Sequence, residues 1–208
     1  MNINKKMNKQ RDKKIIILFG IIIFILLIFS IYLSNENKIL KQENFLFKTI
    51  LYADTQMSEV SIISQKGDSY YSEASFFYEN SNYNSVESNC RLARGYYSDS
   101  SQKYREIKSE IQKANIEDSL INIYSEFLEV LAEIKLNMFE ACEHFESASR
   151  YYDKYYDADT PYDDQSYDMG ALEIDSMNEK IKLHDENVRK YNSLLGDFKA
   201  EMGERLNE

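Results

Sequence analysis

Apolar residues recur along this chain in alternating steps of three and four, the spacing that lines up side chains on one face of an α-helix. Four such stripes are present. The first runs Leu46, Ile50, Ala53, Met57, Val60 and resumes at Tyr71, Ala74 and Tyr78, with Ser64 and Gly67 on the same line. The second runs Tyr83, Val86, Cys90, Ala93, Tyr97, Ser100, Tyr104, Ile107, Ile111. The third runs Leu120, Tyr124, Phe127, Leu131, Ile134, Met138, Ala141, Phe145, Ala148, Tyr152, Tyr155. The fourth runs Ile174, Met177, Ile181, His184, Val188, Tyr191, Leu195, Phe198, Met202. The stripes predict helices over about 36–79, 83–114, 117–156 and 167–205. Ser64 and Gly67 predict a weak or bent point in the first of them.

The breaks between stripes are short. Asn80-Ser81-Asn82 ends the first helix and can cap the second. Asn115, with Asp118 three residues later, resembles a cap with an acidic partner and starts the third. Asp157 to Ser166 holds Pro161, the chain's single proline, and is the one clear loop. Short connections force antiparallel neighbours, so the expected fold is all-α: an antiparallel four-helix bundle with coiled-coil-like packing.

One apolar run has no polar face. Residues 15–33, IIILFGIIIFILLIFSIYL, carry no charge. At 1.5 Å per residue the run spans about 28 Å, close to the hydrocarbon core of a bilayer. It exceeds the apolar region of a cleaved signal and lacks a small-x-small site at its end, so it reads as a transmembrane signal-anchor. Lys5, Lys6, Lys9, Arg11, Lys13 and Lys14 precede it, and only Lys38, Lys41 and Lys48 follow within a similar distance. The positive side stays in the cytoplasm. The expected organisation is a cytoplasmic tail over 1–14, a single span over 15–33 and an extracytoplasmic bundle over 34–208, in a cell membrane.

Charge narrows the partners. The 208-residue chain carries a formal net charge of -10. The first 14 residues are basic, so the remainder is strongly acidic. An acidic domain repels nucleic acid, which removes DNA and RNA from the expected partners. The lipid bilayer, contacted through 15–33, and another protein or a second copy remain.

The chain has two cysteines. Folding the second and third helices about a turn near 115–116 sets Ile111 opposite Leu120, Ile107 opposite Tyr124, Tyr104 opposite Phe127 and Ala93 opposite Met138. Cys90 then faces position 141, beside Cys142, among the small residues Ala93, Ala141 and Ala148. In an oxidising compartment this predicts a Cys90–Cys142 disulfide.

Candidate chemistry is otherwise sparse. The loop carboxylates Asp157, Asp159, Asp163 and Asp168 fall at positions 1, 3, 7 and 12 of a calcium loop. Pro161 and Tyr162 occupy the positions where an oxygen ligand and glycine are needed, so no metal is expected there beyond weak calcium binding. His144 and His184 lie at different levels and make no zinc site. There is no Gly-rich phosphate loop, nucleophile elbow or His-Glu-x-x-His, and neither an enzyme nor a cofactor is expected. Tyrosine is abundant, at 17 residues, and tryptophan absent. The register lets the third helix overhang the second by about eight residues, or about 12 Å. Tyr151, Tyr152, Tyr155, Tyr156 and Tyr162 then gather at the membrane-distal tip as a binding surface.

The expectation is a membrane-anchored scaffold or protein-interaction module. The alternative is a ligand-sensing or solute-binding ectodomain working with a partner. That reading resembles the four-helix ectodomains of chemoreceptors, without their return through the membrane. A filament or envelope subunit ranks third.

Overall fold

A computed structural model describes the backbone of residues 3–157 and 163–207 and the side chains of 26–157 and 163–205. The described residues are all-α and form four helices: α1 (Ile3–Glu79), α2 (Tyr83–Lys113), α3 (Ser119–Tyr156) and α4 (Asp164–Asn207). No strand occurs among the described residues. Two compact units are distinguished, Met1–Lys48 and Thr49–Glu208. The second holds the helical bundle, whose buried core comes mainly from the second and third expected stripes.

Capping sets the boundaries. Asn82 precedes α2, and its side chain accepts the Ser85 N–H at 3.3 Å. Asp118 precedes α3 and accepts the Leu120 N–H at 2.9 Å. These side chains satisfy amides that have no partner inside the helix. The expectation that Asn115 starts α3 is therefore corrected. Asn115 has φ 49° and its N–H closes the end of α2 on the Gln112 carbonyl. Asparagine tolerates that left-handed conformation better than most residues, so it terminates one helix and leaves Asp118 to begin the next. Asp118 also accepts both Arg205 terminal nitrogens at 2.9 Å, which ties the end of α4 to the start of α3.

Partners on α2 and α3 run in opposite directions. Asn84 bonds Asp153, Arg94 bonds Glu143, Ser101 bonds the Ala132 carbonyl, and Lys108 bonds Glu129. The same holds for α3 and α4, where His144 meets Glu173, Phe127 meets Tyr191, and Tyr124 meets Phe198. The α1 residues of the bundle join α2 through Tyr97 and Asp68, and α3 through Tyr71 and Phe145. Helix α1 runs unbroken through Ser64 and Gly67. The point expected to be weak is a packing site instead, because the missing Cβ of Gly67 admits the Tyr97 ring.

Burial is uneven. Seventeen residues of α3 are buried, against ten of α2. In α4 every stripe residue from Ile174 to Met202 is only half-buried. Helix α3 is the centre of the bundle and α4 its least covered helix, with one flank bordering a groove.

The transmembrane expectation concerns residues 15–33, of which 15–25 lie outside the described side chains. Among the described residues, no helix is long and apolar enough to cross a membrane.

Candidate functional site

Aromatic side chains close the end of the bundle where α1 stops and α2 begins. Tyr78 lies edge-on to Tyr83 at 6.0 Å and to Phe145 at 5.2 Å. Tyr83 meets Tyr152 at 5.7 Å and stacks on Tyr156 at 5.9 Å with an interplanar angle of 7°. Tyr167 meets Tyr152 at 5.6 Å and Tyr155 at 5.2 Å. Rings from all four helices thus interlock, in the offset and edge-to-face arrangements that the ring quadrupole favours.

This placement divides the expected tip surface. Tyr152 is buried beneath the other rings and against Gly170, where a Cβ would stand 3.0 Å from its ring. Burial pushes its hydroxyl well above the ordinary tyrosine range, followed by the neighbouring Tyr78. Tyr152 therefore cannot offer a face to a partner. Tyr156 is exposed, and Tyr151 and Tyr155 are half-buried. Tyr162 lies outside the described residues. The expected overhang of α3 is filled, because Tyr83 at the start of α2 lays its ring over both Tyr152 and Tyr156. Tyr78, Tyr83 and Tyr167 complete the cluster. Tyr78 and Tyr83 lie on the first and second stripes, but spacing along one helix does not show that their rings meet those of α3.

The acidic loop is organised for capping. Asp163 precedes α4 and its carboxylate accepts the Lys154 ammonium at 2.8 Å and the Ser166 hydroxyl at 2.7 Å. The backbone N–H groups of Ser166 and Tyr167 bond its carbonyl. Asp168 lies within α4, Asp157 caps α3, and Asp159 lies outside the described residues. A calcium loop needs these carboxylates converging on one ion. Here Asp163 is already engaged and Asp168 is helical. No group of three or more His, Cys, Asp or Glu side chains among the described residues is placed to hold a metal ion.

These contacts have a pH signature. The Lys154 ammonium and then the Ser166 hydroxyl hold the Asp163 carboxyl down at about 2, against an ordinary 3.8. A depressed folded-state value means the stabilisation is complete above pH 3.8 and is lost as pH falls through about 2. The start of α4 is expected to loosen over that interval. Amide exchange at Ser166 and Tyr167, compared between wild type and Asp163→Asn, reads it. Equal acid sensitivity in both chains would show that another group controls this end.

Cys90 and Cys142 meet at the α2–α3 seam, both fully buried, beside Ala74, Val86, Ala93 and Phe145. The expected disulfide is corrected: both are free thiols. Each fills a small apolar space. The neighbouring Cys142 thiol, then burial, raises the Cys90 thiol far above its ordinary range, so the nucleophilic thiolate is scarce. Iodoacetamide is expected to leave both thiols unmodified in the folded chain and to label both in denaturant without reductant. Rapid labelling of the folded chain would contradict the burial; no labelling in denaturant would reveal a disulfide.

Two further features escaped the sequence. Glu146 is a buried carboxylate on α3, reached by Arg91, Arg94 and Arg150. An open groove of about 530 Å³ lies between the bundle part of α1 and α4, with α3 behind it. Its walls carry Asp54, Ser61 and Ser64 from α1 and His184, Val188 and Tyr191 from α4. The histidines stay apart: His144 meets Glu173 at 2.7 Å, while His184 meets Asp185 at 3.0 Å beside the groove.

No family model matches this chain, no curated protein resembles it, and no solved structure matches its fold.

Proposed function

We propose that residues 15–33 anchor this chain in a bilayer and that the acidic bundle is displayed outside the cytoplasm as a scaffold or protein-interaction module. One observation carries the reading. Leu26, Leu27, Ile28, Phe29, Ile31, Tyr32 and Leu33 are all exposed, between 42% and 63%. Seven large apolar side chains within eight residues, around the full circumference of a helix, need a lipid or protein environment. The uncharged sequence before them extends the run to bilayer length. The basic residues at 5–14 put the N-terminus on the cytoplasmic side.

The exposed Tyr156, with the half-buried Tyr155 beside it, supplies a contact surface of the kind protein partners use, large in area and low in entropy cost. No catalytic step belongs to this reading. Carbonate washing of membranes containing the full chain should leave it in the pellet, and protease added outside should digest the bundle. A mature N-terminus beyond Tyr32, or digestion only from the cytoplasmic side, would overturn the anchor.

The groove between α1 and α4 favours a second reading, a solute-binding ectodomain working with a partner. A space of about 530 Å³ falls within the range of small-molecule sites. Native mass spectrometry of the detergent-released chain would then show an adduct that Ser61→Phe removes. An adduct-free spectrum favours the scaffold.

A further inference from the structure

In the unit Met1–Lys48, exposed apolar residues recur on α1 at a second spacing. Leu26, Leu33, Leu40 and Phe47 stand seven residues apart, and all are exposed, Leu40 at 62%. Four residues after each of the middle two comes an asparagine, Asn37 and Asn44, also exposed. In a heptad these are the two inward positions of a coiled coil: leucine or phenylalanine at d, asparagine at a. Leu46, off this seam, is buried.

Charges flank the seam in one order. Glu36 and Glu43 occupy the g positions, and Lys41 and Lys48 the e positions. Each lysine follows a glutamate by five residues, the offset at which g of one strand meets e of the next in a parallel pair. In an antiparallel pair g faces g and e faces e, which would set glutamate against glutamate and lysine against lysine. Among the described residues Glu43, Lys41 and Lys48 form no ion pair within their own chain, and Glu36 accepts only the Tyr32 hydroxyl, at 2.8 Å.

We propose that a second copy of this chain covers the seam, forming a parallel two-stranded coiled coil over residues 33–48. Asparagine at a fixes register and oligomer state at a cost in stability. The charge order selects the parallel arrangement, which two chains entering one membrane from the same side also require. Two heptads are too short to pair strongly when free. Confinement to the bilayer raises the effective concentration, so the proposal rests on the anchor proposed above for its strength. The unit that presents a partner surface is then a dimer.

The test uses the full chain in the membranes of the expressing cell. Asn37→Cys and Asn44→Cys place a thiol on the seam, where like positions of a parallel pair come within disulfide reach. Asn35→Cys and Gln42→Cys place it on the opposite face, and the wild type, whose two cysteines are buried, is the background. After mild oxidation the seam variants should give at least ten times the dimer of the opposite-face variants. Equal crosslinking from both faces, or none from the seam, overturns the proposal. An antiparallel pair would set each a position opposite a d position of the other strand, away from its own like position, and leave each single variant monomeric, which overturns it equally.

Charge exchange provides a second readout. K41E/K48E alone and E36K/E43K alone should each lose the dimer, while co-expression of the two restores a mixed dimer. Unchanged pairing in either single set contradicts the charge order. Carbonate extraction of the same membranes separates the two ideas. A washed-out chain that still crosslinks at the seam ends the anchor and keeps the dimer. A retained chain without seam crosslinks does the reverse.

Discussion

Removing the Glu146 carboxylate, as Glu146→Ala, is expected to cost about 3 kcal/mol of folding free energy. The side chain is 4% exposed, yet it holds three arginines. Arg94 Nη1 donates at 2.8 Å and Arg91 Nη2 at 3.4 Å, both from α2, and Arg150 Nη2 donates from one turn further along α3. Arg94 is itself mostly buried, lies 4.8 Å over the Phe139 ring, and keeps a buried Nε without a hydrogen bond. Truncating Glu146 would leave this guanidinium with a second buried unpaired group. That is why breaking a buried pair costs several times an exposed one. The lower end of the usual range applies, because Arg94 Nη2 retains Glu143 at 2.9 Å and Arg91 and Arg150 reach water. Urea unfolding followed by helical circular dichroism measures the loss. Glu126→Ala, which breaks an exposed pair with Lys190, should move the midpoint by about 0.5 kcal/mol or less. Glu146→Leu combined with Arg94→Met should recover most of the loss, since apolar groups of similar volume can replace a buried ion pair. An alanine variant that unfolds with the wild type would mean that the network orients α2 and α3 without stabilising them.

The contrast between the apolar stripes and Glu146 explains what the sequence could disclose. Helix existence depends on local spacing, and the stripes at 83–111 and 120–155 lie inside α2 and α3 almost residue for residue. Register between two helices joined by a short turn follows from counting, which is why the sequence alone sets Cys90 beside Cys142. Glu146 could not be found by either route. It sits one step beside Phe145 in a helix rich in carboxylates, and its burial depends on arginines contributed by α2. The usable signal was a pair of arginines one turn apart, Arg91 and Arg94, flanking the level of Cys90. The tyrosine cluster was half legible for a related reason. Doubled tyrosines mark the end of α3, but which ring turns inward depends on Tyr78, Tyr83 and Gly170 arriving from three other helices. The groove beside α4 left no trace at all, since the fourth stripe is as regular as the others and only its incomplete covering creates the space.

Gly67→Leu is expected to destabilise the bundle by about 3 kcal/mol, against the ordinary gain from removing a helical glycine. A Cβ at Gly67 would stand 2.8 Å and 3.0 Å from two carbons of the Tyr97 ring and 3.3 Å from the Tyr96 Cβ. The Tyr97 ring has little freedom to retreat. It is fully buried, its hydroxyl donates to Asp68 Oδ1 at 2.9 Å, and the Lys135 ammonium lies 5.5 Å over its face. Burial, and then the Asp68 carboxylate, push that hydroxyl well above the ordinary range. A larger side chain must therefore separate α1 from α2, break the Tyr97–Asp68 hydrogen bond, or both. Gly95 is the matching control. It lies on the exposed side of α2 with nothing within 4 Å of its missing Cβ, so Gly95→Ala should stabilise by about 1 kcal/mol through helix propensity alone. The decisive measurement is a double-mutant cycle with Tyr97→Leu, which removes the ring that the new side chain strikes. If Gly67→Leu costs as much in the Tyr97→Leu background as in the wild type, the two positions are not coupled and the close approach of α1 and α2 does not depend on this glycine.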